Sequence, residues 1–125
     1  LVSMCDSLSV VSTGMQSYKG IIAMGDFNDT PDGSQFKLLE GRLKNACQGL
    51  FEAGEGTIRY EGKWDMIDMF LVDYQSSANA EMKVENITFL MVRDTRHPGM
   101  KPFRTYSGPR YIGGVSDHCP ILLEY

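Results

Sequence analysis

Three short stretches of this chain pair residue types that can do chemistry together. Gly25-Asp26-Phe27-Asn28 sets an acid and an amide two residues apart, directly after the apolar run Ile21 to Met24. Ligands of open α/β sheets gather outside strand ends, so Asp26 and Asn28 are placed to face one site. The plainer alternative is a polar turn in which both side chains hydrogen-bond their own backbone. Ser116-Asp117-His118 stands before the last apolar run. Its carboxylate suits a hydrated hard cation and its imidazole a phosphoryl oxygen; the alternative is a loop acid beside a satisfied loop histidine. Lys63-Trp64-Asp65-Met66-Ile67-Asp68-Met69-Phe70 places Asp68 inside an otherwise apolar strand. A carboxylate there is costly to bury without a partner. His118 is the simplest one, since a carboxylate that fixes an imidazole's tautomer and orientation recurs in catalytic sites. Strand alternation equally allows Asp68 to face water. Asn28-Asp29-Thr30-Pro31-Asp32-Gly33 imitates the start of a calcium loop, but its twelfth position is Leu39 and a strand precedes it, so that reading fails.

The elements that must position these residues are short. Residues 1–17 read as a helix, Ile21 to Met24 as a buried strand, and Asp29 to Gly33 as a turn from which Ser34 caps a helix running to Leu43. Thr57 to Tyr60, Asp65 to Asp73, Met82 to Val92 and Ile121 to Tyr125 read as strands. Residues 93–114, punctuated by Pro and Gly, read as loop. Strands that are continuous apolar runs are usually covered on both faces. Two or three helices can cover one face of a sheet of about five strands, and nothing in 125 residues is left for the other. The chain is expected to be half of something, with residues 1–125 forming the C-terminal part of one domain.

Composition narrows the class. The chain is 42% apolar and 22% charged, which excludes a disordered or low-complexity spacer. Its apolar runs fall far short of the ~18 residues of a membrane span. No leader pattern is visible, and the start at Leu1 suggests that the true N-terminus lies elsewhere. Cys5, Cys47 and Cys119 show no metal or disulfide spacing, which mildly favours a reducing compartment; localisation is otherwise open. The net charge of −4 argues against wrapping of nucleic acid by the whole surface. Residues 91–118, however, carry five basic residues against two acids, leaving −7 on the rest, and such a segment is either an anion site or a solvated loop.

Taken together, a strand ending in Gly25-Asp26-Phe27-Asn28, an Ile67-Asp68 strand, and Ser116-Asp117-His118 with Pro120 before the final strand resemble the endonuclease/exonuclease/phosphatase superfamily. Gly56-Thr57-Ile58-Arg59-Tyr60 and Arg104-Thr105-Tyr106-Ser107-Gly108-Pro109-Arg110-Tyr111 are similar to a bacterial branch of it whose substrates are poorly defined. The resemblance spans about residues 20–125. It implies an α/β fold: the C-terminal half of a four-layer α/β sandwich, with a mixed, mostly antiparallel sheet and flanking helices. It also implies hydrolysis of a phosphate ester with Mg²⁺ or Mn²⁺, the substrate being nucleic acid or a phosphorylated small molecule or lipid. By the same resemblance Asp26 orients or activates water and Asn28 holds a nonbridging phosphate oxygen. Asp117, with Asp26, stands at the metal, and His118 stabilises the phosphoryl group while Asp68 orients it. Trp64, Arg104, Tyr106 and Arg110 are available to contact substrate, though no motif assigns them. Family members bind metal through a Glu that precedes the GDFN strand, and that half of the domain is expected to be missing here. The fragment alone is then inactive and covers its bare sheet face by self-association. The rival reading, from another class, is a noncatalytic module that keeps the half-fold to bind phosphate or nucleic acid.

Overall fold

The apolar stretch ending at Asp73 becomes the strand around which the others are arranged. The computed structural model describes residues 20–73 and 77–125. In it β5 (Asp68–Asp73) has its last five residues buried, as a run of Met, Phe, Leu and Val should on a pleated core surface. On its two edges lie β1 (Ile22–Asp26) and β2 (Leu43–Asn45), both antiparallel to it. The register sets Ile22 opposite Val72 and Asp26 opposite Asp68. One end of this pairing is locked by Asp73, whose carboxylate accepts the Ile21 amide at 2.8 Å while its own amide donates to the Ile21 carbonyl at 3.0 Å.

Between β1 and β5 run α1 (Ser34–Lys37), α2 (Gln48–Glu52) and the hairpin of β3 (Ile58–Tyr60) with β4 (Lys63–Asp65). After β5 come β6 (Glu81–Val84), β7 (Met91–Arg93) paired with β8 (Met100–Pro102), β9 (Tyr106–Ser107) paired with β10 (Arg110–Tyr111), and β11 (Ile121–Glu124), which returns to pair with β6. The described residues are thus mostly antiparallel strands with few helices. None of those helices is long and apolar enough to cross a membrane. Leu39, Leu43, Cys47, Met66, Met69, Leu71, Val72 and Met82 form the core, each large aliphatic side chain contributing about 1.5–3 kcal/mol on burial.

Several expected elements are corrected. The helix from Ser34 to Leu43 is a single turn with Gly33 at its N-cap and no side-chain cap. Gly41, at φ +84, ends any continuation, and Leu43 instead opens β2 on the free edge of β5. The strand from Asp65 to Asp73 breaks at buried Met66, giving β4 and β5. Met82 to Val92 divides because the Glu85 amide is the last to reach the β11 side, at the Pro120 carbonyl, after which a 3-10 turn (Thr88–Leu90) leads into β7. The 93–114 loop holds β8, β9 and β10. The helix expected over residues 1–17 lies outside the described residues.

Arg59 ties two hairpins together. Its guanidinium is buried over the Trp64 ring at 5.8 Å and donates to Asp94 Oδ2 at 3.2 Å, the Met100 carbonyl at 3.0 Å and the Pro98 carbonyl at 2.6 Å. The segment between β7 and β8 is therefore held to β3. Backbone amides of Arg96 and then His97 donate to Asp94, and the first of these chiefly holds its carboxyl below the ordinary carboxylate range.

Directly paired residues of two strands share a face. Ile22, Met24 and Asp26 accordingly lie with Val72, Phe70 and Asp68. Phe70 and Val72 are buried, but Ile22 is 40% exposed and Met24 72%. The face that carries the two acids also carries bare apolar surface.

Candidate active site

The register of β1 on β5 does the first part of the assembly. Asp26 closes β1 and Asp68 opens β5, and pairing sets them opposite each other at one end of the sheet. Asp26 and His118 each bring a ligand-type atom within 4.8 Å of the other and of Asp68. His118 arrives from the segment before β11 through an isolated bridge to Ile58, and the next amide, that of Cys119, donates to the Thr57 carbonyl at 2.7 Å.

Asp68 and His118 are partners. Nδ1 of His118 lies 2.7 Å from Asp68 Oδ2. A carboxylate only accepts, so Nδ1 carries the proton and Nε2 is the nitrogen left to face the site. Both side chains are partly buried, at 25% and 15% exposure, which screens the pair less than a surface one.

Thr57 completes this arrangement; the Gly56-Thr57-Ile58-Arg59-Tyr60 motif contains it but assigns it no role. It is fully buried. Its hydroxyl accepts the amides of Ile67 at 3.3 Å and Asp68 at 3.2 Å, and its one hydrogen goes to Asp68 Oδ2 at 2.5 Å. One carboxylate oxygen is thus gripped from two sides. The sequence holds only a faint signal of this, a Thr at the start of a strand whose partner sits eleven residues on, across a hairpin.

The remaining expected residues are nearby in different ways. Asp26 Oδ1 accepts the Asn28 amide at 2.8 Å, with Asn28 in the left-handed region at φ 51. The turn reading of GDFN is therefore present alongside the site, and it occupies one oxygen of Asp26. Asp117 stands at the rim, half exposed, with Oδ1 3.8 Å from His118 Nε2. Asp29 and Asp32 serve their own turn: Asp29 accepts from the Thr30 amide and Gln35, and Asp32 from the Thr30 hydroxyl. Cys119 is buried with Sγ 3.7 Å from Asn86 Oδ1; burial, and then the charge of Asp68, pushes its thiol pKa up. Cys47, deeper still, is pushed up to about 12 by burial.

A family model described as Endonuclease/Exonuclease/phosphatase family matches residues 3–125. The chain belongs to that family. No curated protein and no solved structure matches it. For an endonuclease/exonuclease/phosphatase chain the reaction is of the phosphoesterase type, and the family is commonly divalent-metal dependent. The donor set fits a hard cation, with a qualification from the geometry. Asp117, expected at the metal, is not among the three side chains that converge; with Asp68 Oδ2 and His118 Nδ1 bound to each other, the donors that Asp26, Asp68 and His118 keep for a cation are carboxylate oxygens and His118 Nε2. Oxygen donors with room for water suit Mg²⁺ or Mn²⁺ and not a sulfur-rich zinc cage.

Proposed function

We propose that this chain carries the Asp/His part of a metal-dependent phosphoesterase centre that hydrolyses a phosphate ester. The observation behind this reading is the convergence of Asp26, Asp68 and His118, with the imidazole held by Nδ1. Asp26 and Asp117 would hold the divalent cation, which supplies charge neutralisation on the phosphoryl oxygens. Asp26 would hold the cation with the oxygen that the Asn28 amide leaves open and would orient the attacking water beside it; as the water's oxygen bonds to phosphorus the ester P–O bond breaks, and the water's proton ends on the departing alkoxide. The Asn28 side chain donates to a nonbridging oxygen. His118 presents Nε2 to the phosphoryl group, and Asp68 stabilises the positive charge that the ring gains when it binds that anion.

The whole domain, in this reading, is a four-layer sandwich of which residues 1–125 form the C-terminal part. Exposed Ile22 and Met24 support it, because a second sheet laid over that face would also meet Asp26 and Asp68 at their end of the strands. Such a layer can bring the metal-binding Glu that the three clustered side chains do not include.

The test is hydrolysis by the full-length protein of plasmid DNA and of small phosphate esters, with and without Mg²⁺. Activity that requires Mg²⁺ and falls by about a hundredfold or more in His118→Ala supports the centre. Phosphate binding with no turnover on either substrate would make the domain a noncatalytic module.

A further inference from the structure

The hairpin β9–β10 is built oddly for a piece of scaffold. Its strands are two residues each, and ladders that short are marginal on their own. Tyr106 and Tyr111 face each other across it in a T-shaped pair, ring centroids 5.7 Å apart and planes at 68°. That contact staples the hairpin, yet the rings stay in water, the residues being 55% and 66% exposed. An edge-to-face pair also leaves ring surface open to a third flat group. Arg110 lies opposite Ser107 in the same ladder and is exposed, and Arg104 stands two residues before Tyr106.

The base of the hairpin is firmly zipped toward the site. The Ile112 amide donates to the Thr105 carbonyl at 2.9 Å, Gly114 to Arg104 at 3.1 Å and Val115 to Phe103 at 2.9 Å. The Thr105 hydroxyl adds a bond to the Val115 carbonyl at 3.0 Å. Gly114 has no room for a side chain, since a Cβ there would strike the Phe103 and Arg104 carbonyls. Ser116, Asp117 and His118 follow at once. Tyr111 is seven residues before His118, so a fully extended chain would put it no more than roughly 23 Å away. The tyrosines thus stand within a few nucleotides' reach of the His118 imidazole, on a segment of an acidic chain that carries an excess of positive charge.

We propose that β9–β10 is a strand-binding subsite for single-stranded nucleic acid. Tyr106 and Tyr111 stack bases, Arg104 and Arg110 meet the backbone phosphates, and the strand leads one ester to Asp26 and His118. Stacking tolerates any base, so the subsite selects for a flexible, unpaired polynucleotide and against a small phosphate ester, which has nothing to lay on the rings. This names a substrate class for the phosphoesterase reading and rests on it for the chemistry, though not for the binding.

Binding is measured apart from turnover, by fluorescence anisotropy of a labelled twelve-residue oligodeoxythymidylate with the full-length protein in EDTA at low salt. Tyr106→Ala/Tyr111→Ala should weaken binding by about tenfold or more, and Tyr106→Phe/Tyr111→Phe should retain it, because the stacking face survives. Arg104→Ala/Arg110→Ala should weaken it and flatten the slope of log affinity on log salt by about 0.7 for each phosphate that is no longer neutralised. Equal binding by the wild type and the double-alanine tyrosine variant overturns the subsite. So does preferential capture of phosphatidylinositol-phosphate vesicles through the same tyrosines, which would assign the hairpin to a lipid headgroup. Oligonucleotide binding that needs the tyrosines, with no Mg²⁺-dependent cleavage, leaves the subsite standing and removes only the phosphoesterase reading.

Discussion

At the scale of single residues, Asp68, His118 and Thr57 form one hydrogen-bonded unit, and Asp26 stands outside it. Groups that act as a unit lose function non-additively. In the full-length protein, His118→Ala and Asp68→Ala are each expected to lower kcat/KM by about a hundredfold or more, on the order of 3 kcal/mol of transition-state stabilisation. The double variant should be barely worse than His118→Ala. Asp26→Ala should add a further loss, because handling the water is a separate task. The mutant cycle at fixed Mg²⁺ checks this, and simple addition of the Asp68 and His118 losses would return Asp68 to an ordinary strand acid. Thr57 gives a sharper test of the geometry. Thr57→Val keeps the buried shape but leaves the Ile67 and Asp68 amides and one carboxylate lone pair unmet, a cost of about 1–3 kcal/mol. Thr57→Ser restores the hydroxyl and should recover most of both stability and kcat. If Val and Ser behave alike in thermal unfolding and in kcat, the hydroxyl does not hold Asp68.

At the scale of elements, Arg59 joins β3 to the β7–β8 hairpin, and its replacement should loosen a whole segment. Arg59→Ala removes the guanidinium bonds to Asp94 and to the Pro98 and Met100 carbonyls and is expected to lower the midpoint of chemical denaturation. The pH dependence has a definite sign. Asp94 is held below its ordinary value in the folded state, so its contribution is complete above that value and is lost only as pH falls through the lowered one. Asp94→Asn should therefore shrink the loss of stability on acidification, whereas Arg59→Ala should leave most of it, because the Arg96 amide is the larger cause of the shift; an unchanged acid limb in Asp94→Asn would mean that Asp94 does not carry it. The elements also show what could be read in advance. The strands around Asp26, Asp68 and before Glu124 were legible, because each is an apolar run whose type local pattern decides. So was the Asp68–His118 partnership, since a carboxylate among Ile67, Met69 and Phe70 needs a partner. The helix after Ser34 misled because Leu38, Leu39 and Leu43 have helical spacing, whereas the open edge of β5 and the left-handed Gly41 decide the outcome. The hairpins inside 93–114 were hidden because their order comes from Arg59 and from tertiary hydrogen bonds, and no periodicity marks them. Thr57 was invisible as a site residue for the same reason.

At the scale of the whole molecule, the bare patch of Ile22 and Met24 sets an expectation for residues 1–125 on their own. Large exposed apolar surface drives association. If these residues are the C-terminal part of a larger domain, as proposed, this chain by itself should self-associate, bind apolar dyes and show no hydrolysis. A stable, dye-free monomer in sedimentation would count against the half-domain reading. The sheet register has a different consequence, one of folding kinetics. Asp26, Asp68 and His118 are 42 and then 50 positions apart, and each is brought in by a long-range pairing: β1 on β5, and the bridge of His118 to Ile58. Loop closure on that scale must precede any reward from the contacts, so such pairings form slowly. A slip of β1 by one residue would also turn Asp26 to the opposite face while leaving strand content unchanged. Recovery of function in a refolding experiment should consequently trail the recovery of β-sheet signal, and the interval between the two measures how long the chain takes to find its register.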